Sequence, residues 1–144
     1  MATFITDTPK RLGLARYRQR AEGGRNKARR LGELIGGKGV GVIGFMAGSA
    51  STMERESGFE TEMRARFPDV QLLGVRFGMA DRAKSMAETE NMLTAHPDLA
   101  GLFADNESSS SGAVQALKGR NAKQVKLVAF DASEQPSALR RGLD

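Results

Sequence analysis

Apolar residues cluster in four short runs along this chain, at 40–45, 70–75, 99–104 and 125–130. Runs of that length, rich in Val, Leu, Ile and Phe, predict strands buried on both faces. Helical spacing fills the gaps between them. Phe59, Met63 and Phe67 recur every four residues with Glu54, Glu56, Glu60 and Glu62 among them, which predicts an amphipathic helix to about Arg66 with an acidic outer face. Pro68-Asp69 ends it. Asp81 is placed to cap a second helix, with Ala83, Met86, Ala87 and Leu93 turned inward and His96-Pro97-Asp98 as its stop. The polar stretch from Asp105 to Ser111 opens a third helix around Ala113, Val114 and Leu117, closed by Lys118-Gly119. Asp131-Ala132-Ser133-Glu134 leads into a last partial helix.

Strand and helix thus alternate, as right-handed βαβ units do. The expected fold class is α/β, a parallel sheet with helices on both faces. Two parts are expected. Residues 1–37 form an irregular basic segment and lead-in helix, in which Arg16-Tyr17-Arg18-Gln19-Arg20 shows no clean period. Residues 38–144 form the α/β domain.

Charge sharpens that division. The chain of 144 residues carries a net +5, yet residues 1–38 alone hold +7 and the rest holds −2. The body therefore has no nucleic-acid footprint of its own. With no cysteine, disulfides and thiolate metal sites are excluded, and a single histidine, His96, leaves little for a metal or a Ser/His/Asp triad. No metal or cofactor is expected. No run reaches the roughly 18 apolar residues of a membrane span, so no membrane insertion is expected. Residues 1–7 lack the basic start and apolar stretch of a secretory signal.

Gly39, Gly41 and Gly44 spell G-x-G-x-x-G, but they fall within a predicted strand instead of after it, against a dinucleotide site. The serines at 108–111 have no general base in view. Three other polar residues stand out just past strand ends: Arg55, Asn106 and Asp131. A parallel sheet gathers its ligand at the carboxyl ends of its strands. A guanidinium, an amide and a carboxylate there suit the donors and acceptors of a hydroxyl-rich molecule. Each also has a structural explanation. Arg55 can pair with Glu54 or Glu56, and Asn106 and Asp131 can cap helices. The trio lacks a nucleophile with its base, so binding is expected and catalysis is not.

Four stretches carry a family resemblance. The segment Gly48-Ser49-Ala50-Ser51-Thr52-Met53-Glu54-Arg55-Glu56-Ser57-Gly58-Phe59 resembles one in the periplasmic sugar-binding proteins of ABC transporters, ribose-binding type. Leu93-Thr94-Ala95-His96-Pro97-Asp98-Leu99, Leu102-Phe103-Ala104-Asp105-Asn106-Glu107 and Ala129-Phe130-Asp131-Ala132 continue the likeness in order, over residues 31–135. It implies the periplasmic binding protein type I fold, two α/β lobes closing on a sugar, of which this chain resembles the C-terminal lobe. It also implies that Arg55, Asn106 and Asp131 bond the hydroxyls of a monosaccharide. Intact relatives deliver that sugar to an ABC transporter permease.

Ala80 stands where relatives often place an aromatic residue against the sugar. The N-terminal lobe and the crossover beyond Asp144 are missing, so a truncated or remnant copy with weak or no binding alone is expected. The resemblance implies the periplasm; the signal-free start points to the cytoplasm for the chain as written. Codons allowed for residues 17–24, read one base later, can give a sequence close to the family's lead-in to this helix. We hypothesise that this stretch is out of frame, and a gene whose codons cannot yield the shifted sequence rules that out. Two other functions compete. A sugar-sensing effector module of a LacI-type transcriptional regulator shares the fold, but no clear helix-turn-helix precedes it. A nucleotide-using enzyme is disfavoured by the misplaced glycines.

Overall fold

The computed structural model describes residues 2–35, 39–44 and 48–129. In chain order they form α1 (Ala2–Leu34), β1 (Val40–Gly44), α2 (Ala50–Arg66), β2 (Leu72–Phe77), α3 (Arg82–Ala95), β3 (Gly101–Ala104), α4 (Glu107–Gly119) and β4 (Lys126–Ala129). The strands make one parallel sheet ordered β2-β1-β3-β4. Val40 pairs with Leu72 on one side and Gly101 on the other, and Gly101 pairs with Lys126. The expected α/β alternation is present. The expected last partial helix lies outside the described residues.

Three strands begin later than their apolar runs because the preceding turn claims the first amides. Val70 N donates to Phe67 O at 3.0 Å, so β2 spans 72–77 instead of 70–75. Leu99 N donates to His96 O at 3.0 Å ahead of β3, and Val125 N to Ala122 O at 3.2 Å ahead of β4.

Strand alternation divides the core between the two faces. Val40, Val42, Phe103 and Val128 pack with Ala28 and Leu31 of α1 and Phe59 and Met63 of α2. Ile43, Leu102, Ala104, Leu127 and Ala129 pack with Met92 and Leu93 of α3 and Ala113 and Leu117 of α4. On the first face Phe59 and Phe103 stack, ring centroids 4.5 Å apart and planes 18° from parallel. On the second, Gly41 makes room for Met92: a Cβ there would stand 2.0 Å from its Sδ. The glycines of β1 serve packing.

The basic segment differs from expectation. It is part of one 33-residue helix. Its inward stripe is Ala21, Gly24, Ala28 and Leu31, all buried, and three of these are too small to register as an apolar period. Small size is what the packing needs. A Cβ on Gly24 would stand 2.0 Å from Arg55 O, and one on Gly58 would stand 2.0 Å from Ala21 O. The two helix backbones touch through these glycines.

Two expected faces are corrected. The acids of α2 do not form a solvent face: Glu56 and Glu62 are each only 7% exposed. Glu62 accepts from Arg29 Nε at 2.7 Å and from Arg66, and Glu54 accepts from Arg20. Basic α1 and acidic α2 thus supply one another's counter-charges. In α3 the buried residues are Ser85, Thr89, Met92 and Leu93, while Ala83 and Ala87 are exposed. Gly78 and Gly112 press on Ser85, and Thr89 Oγ1 donates to Ser85 O at 2.8 Å, so small polar residues can line that seam.

Candidate functional site

The sheet order creates a crevice between β1 and β3. From β1 the chain passes through α2 on one face to β2, and from β3 it enters α4 on the opposite face. Neighbouring strands whose helices leave to opposite sides mark a topological switch point, where α/β sheets hold ligands. Arg55 of α2 and Asn106 after β3 flank it.

Arg55 lies in the second turn of α2, which starts at Ala50. The helix dipole fades beyond the first turn, so it opposes this cation little. The side chain is half-buried, and its Nη1 donates to Asp105 O at 3.0 Å. Burial lowers the Arg55 pKa, the Asp105 carboxylate opposes that, and Arg20 adds to it. Among the described residues its hydrogen bond goes to a backbone carbonyl past β3 and not to Glu54 or Glu56.

Asn106 takes up the capping role open to it. Its Oδ1 accepts from Ser109 N and from Ser108 Oγ, each at 2.9 Å, and so caps α4. Its Nδ2 is buried and finds no hydrogen-bond partner among the described residues. The cap consumes the oxygen and leaves the amide donor. Ser110 Oγ donates to Asn106 O at 2.6 Å and fixes the turn from behind. Asp131, the third expected residue, lies outside the described residues.

Beyond β2, Met79 and Ala80 both adopt left-handed backbone, φ 56° and 61°. Two successive non-glycine residues there are strained. Gly78 N donates to Gly44 O at 2.9 Å on one side of them. On the other, Asp81 caps α3 as expected, accepting from Ala83 N at 2.7 Å and Lys84 N at 3.1 Å. Both residues are exposed at the ligand end of the sheet.

Sequence reasoning passed over two acids beside Arg55. Asp105 is fully buried, and Glu56 lies in the inward stripe Thr52, Glu56, Phe59, Met63 of α2. That i, i+4, i+7, i+11 spacing was the signal for Glu56. Burial pushes the Glu56 carboxyl above its ordinary range, a hydrogen bond with Asp105 acts against that rise, and Glu60 adds to it. Among the described residues no group of three or more His, Cys, Asp or Glu could hold a metal ion.

Known proteins share this fold. Residues 18–138 match the sequence model of the periplasmic binding protein domain. The ribose import binding protein of Escherichia coli strain K12 is 33% identical over 99 residues, covering 67% of this chain and 33% of that protein. The D-ribose/D-allose-binding protein of Pseudomonas aeruginosa is 33% identical over 113 residues, covering 74% and 35%. This chain therefore spans about a third of the length of those relatives. Among solved structures, an ABC transporter solute-binding protein from Agrobacterium vitis, bound with α-D-tagatopyranose, superposes with a TM-score of 0.77 at 33% identity. The match covers 85% of this chain and 42% of that one.

Proposed function

This chain belongs to the periplasmic binding protein domain family, and we propose that it is the C-terminal sugar-contacting lobe of a binding component for ABC-type import. The sugar is a monosaccharide. Arg55 and Asn106 donate to its hydroxyls across the crevice, and Asp131 accepts from them. Asn106 carries the reading most directly, since its cap engages Oδ1 and leaves a buried Nδ2 donor. An N-terminal lobe closes the other side of the sugar, and a permease receives it, in the periplasm. The 144-residue chain alone covers one side of such a ligand and binds it weakly.

The regulator alternative finds less support, because Arg20 and Arg29 are turned onto α2 and held by Glu54 and Glu62. To test the proposal, the 15N-labelled chain is titrated with D-ribose and D-allose while amide shifts are followed. Small, saturating changes confined to residues near Arg55 and Asn106, lost in Asn106→Asp, are expected. Changes elsewhere only, or none at high sugar concentration, overturn it.

A further inference from the structure

The register of α2 on β3 brings two acids together behind Arg55. Phe59 stacks on Phe103. Two residues along β3, on the same face of the sheet, comes Asp105; one turn back along α2, on the same inward stripe, comes Glu56. The helix runs back against the strand, so both steps move the same way and bring the two carboxyls within hydrogen-bonding reach. Both residues are buried, Glu56 at 7% exposure and Asp105 at 0%. No amide or hydroxyl donor reaches Glu56 Oε2 among the described residues. Two carboxylates only accept hydrogen bonds, so a bond between these groups requires a proton on one of them.

We propose that Glu56 and Asp105 share a single proton, and that this pair positions the Arg55 guanidinium, which is bonded to Asp105 O. The charged groups around the pair are Arg55 and Glu60 on α2, and Arg20 on α1 with its partner Glu54. Asp131 lies outside the described residues. With its proton the pair carries one negative charge and balances Arg55. Loss of that proton leaves two negative charges, which draw the guanidinium inward and away from the crevice. The burial noted above raises the pH at which this happens. For sugar capture the consequence rests on reading Arg55 as a ligand donor: affinity falls as pH rises.

The test does not need sugar. The full 144-residue chain is labelled with 13C-carboxyl glutamate and 15N-arginine and titrated by NMR. One glutamate carboxyl is expected to titrate well above the rest, vanish in Glu56→Gln, and shift its midpoint in Asp105→Asn. The Arg55 Nε–H signal, assigned by its loss in Arg55→Lys, is expected to shift with the same midpoint. Should Asp105→Asn fail to fold, Glu56→Gln still decides, because the wild type is expected to lose stability with rising pH where that variant does not. All glutamates titrating together, a high-titrating signal that survives Glu56→Gln, or an Arg55 signal indifferent to the titration overturns the proposal. If the carboxyls behave as expected but no sugar perturbs the crevice, the proton pair stands and the sugar reading falls.

Discussion

Gly24 of α1 and Arg55 of α2 meet backbone to backbone, with the Arg55 carbonyl oxygen where a Gly24 side chain would stand. A backbone neighbour cannot swing aside as a flexible side chain does. Gly24→Ala is therefore expected to destabilise the chain by about 1–3 kcal/mol or more, read as a lower urea midpoint. Gly58→Ala, facing Ala21 O at 2.0 Å from its would-be Cβ, is expected to act alike. Gly119→Ala, with nothing within 4 Å of the added atom, serves as the mild control.

The Phe59–Phe103 stack ties α2 to the middle of the sheet and sets the register that opposes Glu56 and Asp105. Phe103→Ala is expected to cost about 3–5 kcal/mol. It should also lower the titration midpoint of the Glu56 carboxyl, as water reaches the pair. A large stability loss with an unmoved Glu56 titration would separate the stack from the acid pair.

Acid should loosen the seam between α1 and α2. Hydrogen bonds from Arg29 hold the Glu62 pKa below its ordinary range, burial opposes them, and Arg66 assists. A depressed carboxylate stabilises the fold above its unfolded pKa, and that contribution fades as pH falls through the folded one. Glu62→Gln is expected to flatten the acid limb of a stability–pH curve. An acid limb identical in both proteins would contradict this.

Asn106 permits a clean separation of capping from binding. Asn106→Ala removes the cap and is expected to cost about 1 kcal/mol. Asn106→Asp keeps an N-cap oxygen and suits the positive end of α4, so its thermal midpoint should stay near the wild type. It lacks the Nδ2 donor, and sugar-induced shifts should vanish with it. Loss of stability equal to that of Asn106→Ala would show that the amide group matters for packing.

Met79 and Ala80 carry the backbone strain of the β2–α3 loop. Glycine at either position relieves a left-handed penalty of about 1–2 kcal/mol, partly offset by glycine's greater freedom in the unfolded chain. Met79→Gly and Ala80→Gly are expected to raise the thermal midpoint slightly. A drop would mean that the side chains contribute more than their exposure implies.

The sheet was legible because parallel strands covered by helices leave short, mostly apolar runs, and each of the four runs holds a strand. Strand starts were less so, since whether Val70 N or Val125 N belongs to a turn depends on hydrogen bonds that residue type does not reveal. The inward stripe of α1 hid in its alanines and glycine. Glu56 and Glu62 read as solvent-facing because a charge next to Phe59 or Met63 is ordinarily outward; their burial depends on Asp105 and Arg29, which are distant in sequence, with Arg66 one turn along α2 adding to the Glu62 pairing. At the crevice, strand-end position singled out Arg55 and Asn106 as candidates. It could not say that Arg55 would reach over to the Asp105 carbonyl past β3, nor that Asn106 would commit only its oxygen to the cap of α4.

The long helix also sets an order of events during synthesis. Arg20 leaves the ribosome 34 residues ahead of Glu54, its partner, and the inward stripe of α1 is mostly alanine and glycine, with little to bury by itself. Until α2 has cleared the exit tunnel, that stripe and its cations face the ribosome surface and the cytosol unaccompanied. A pause in translation between Leu34 and Arg66 would lengthen that interval, making this stretch of the message a place where codon choice can govern how much of the chain reaches its folded form.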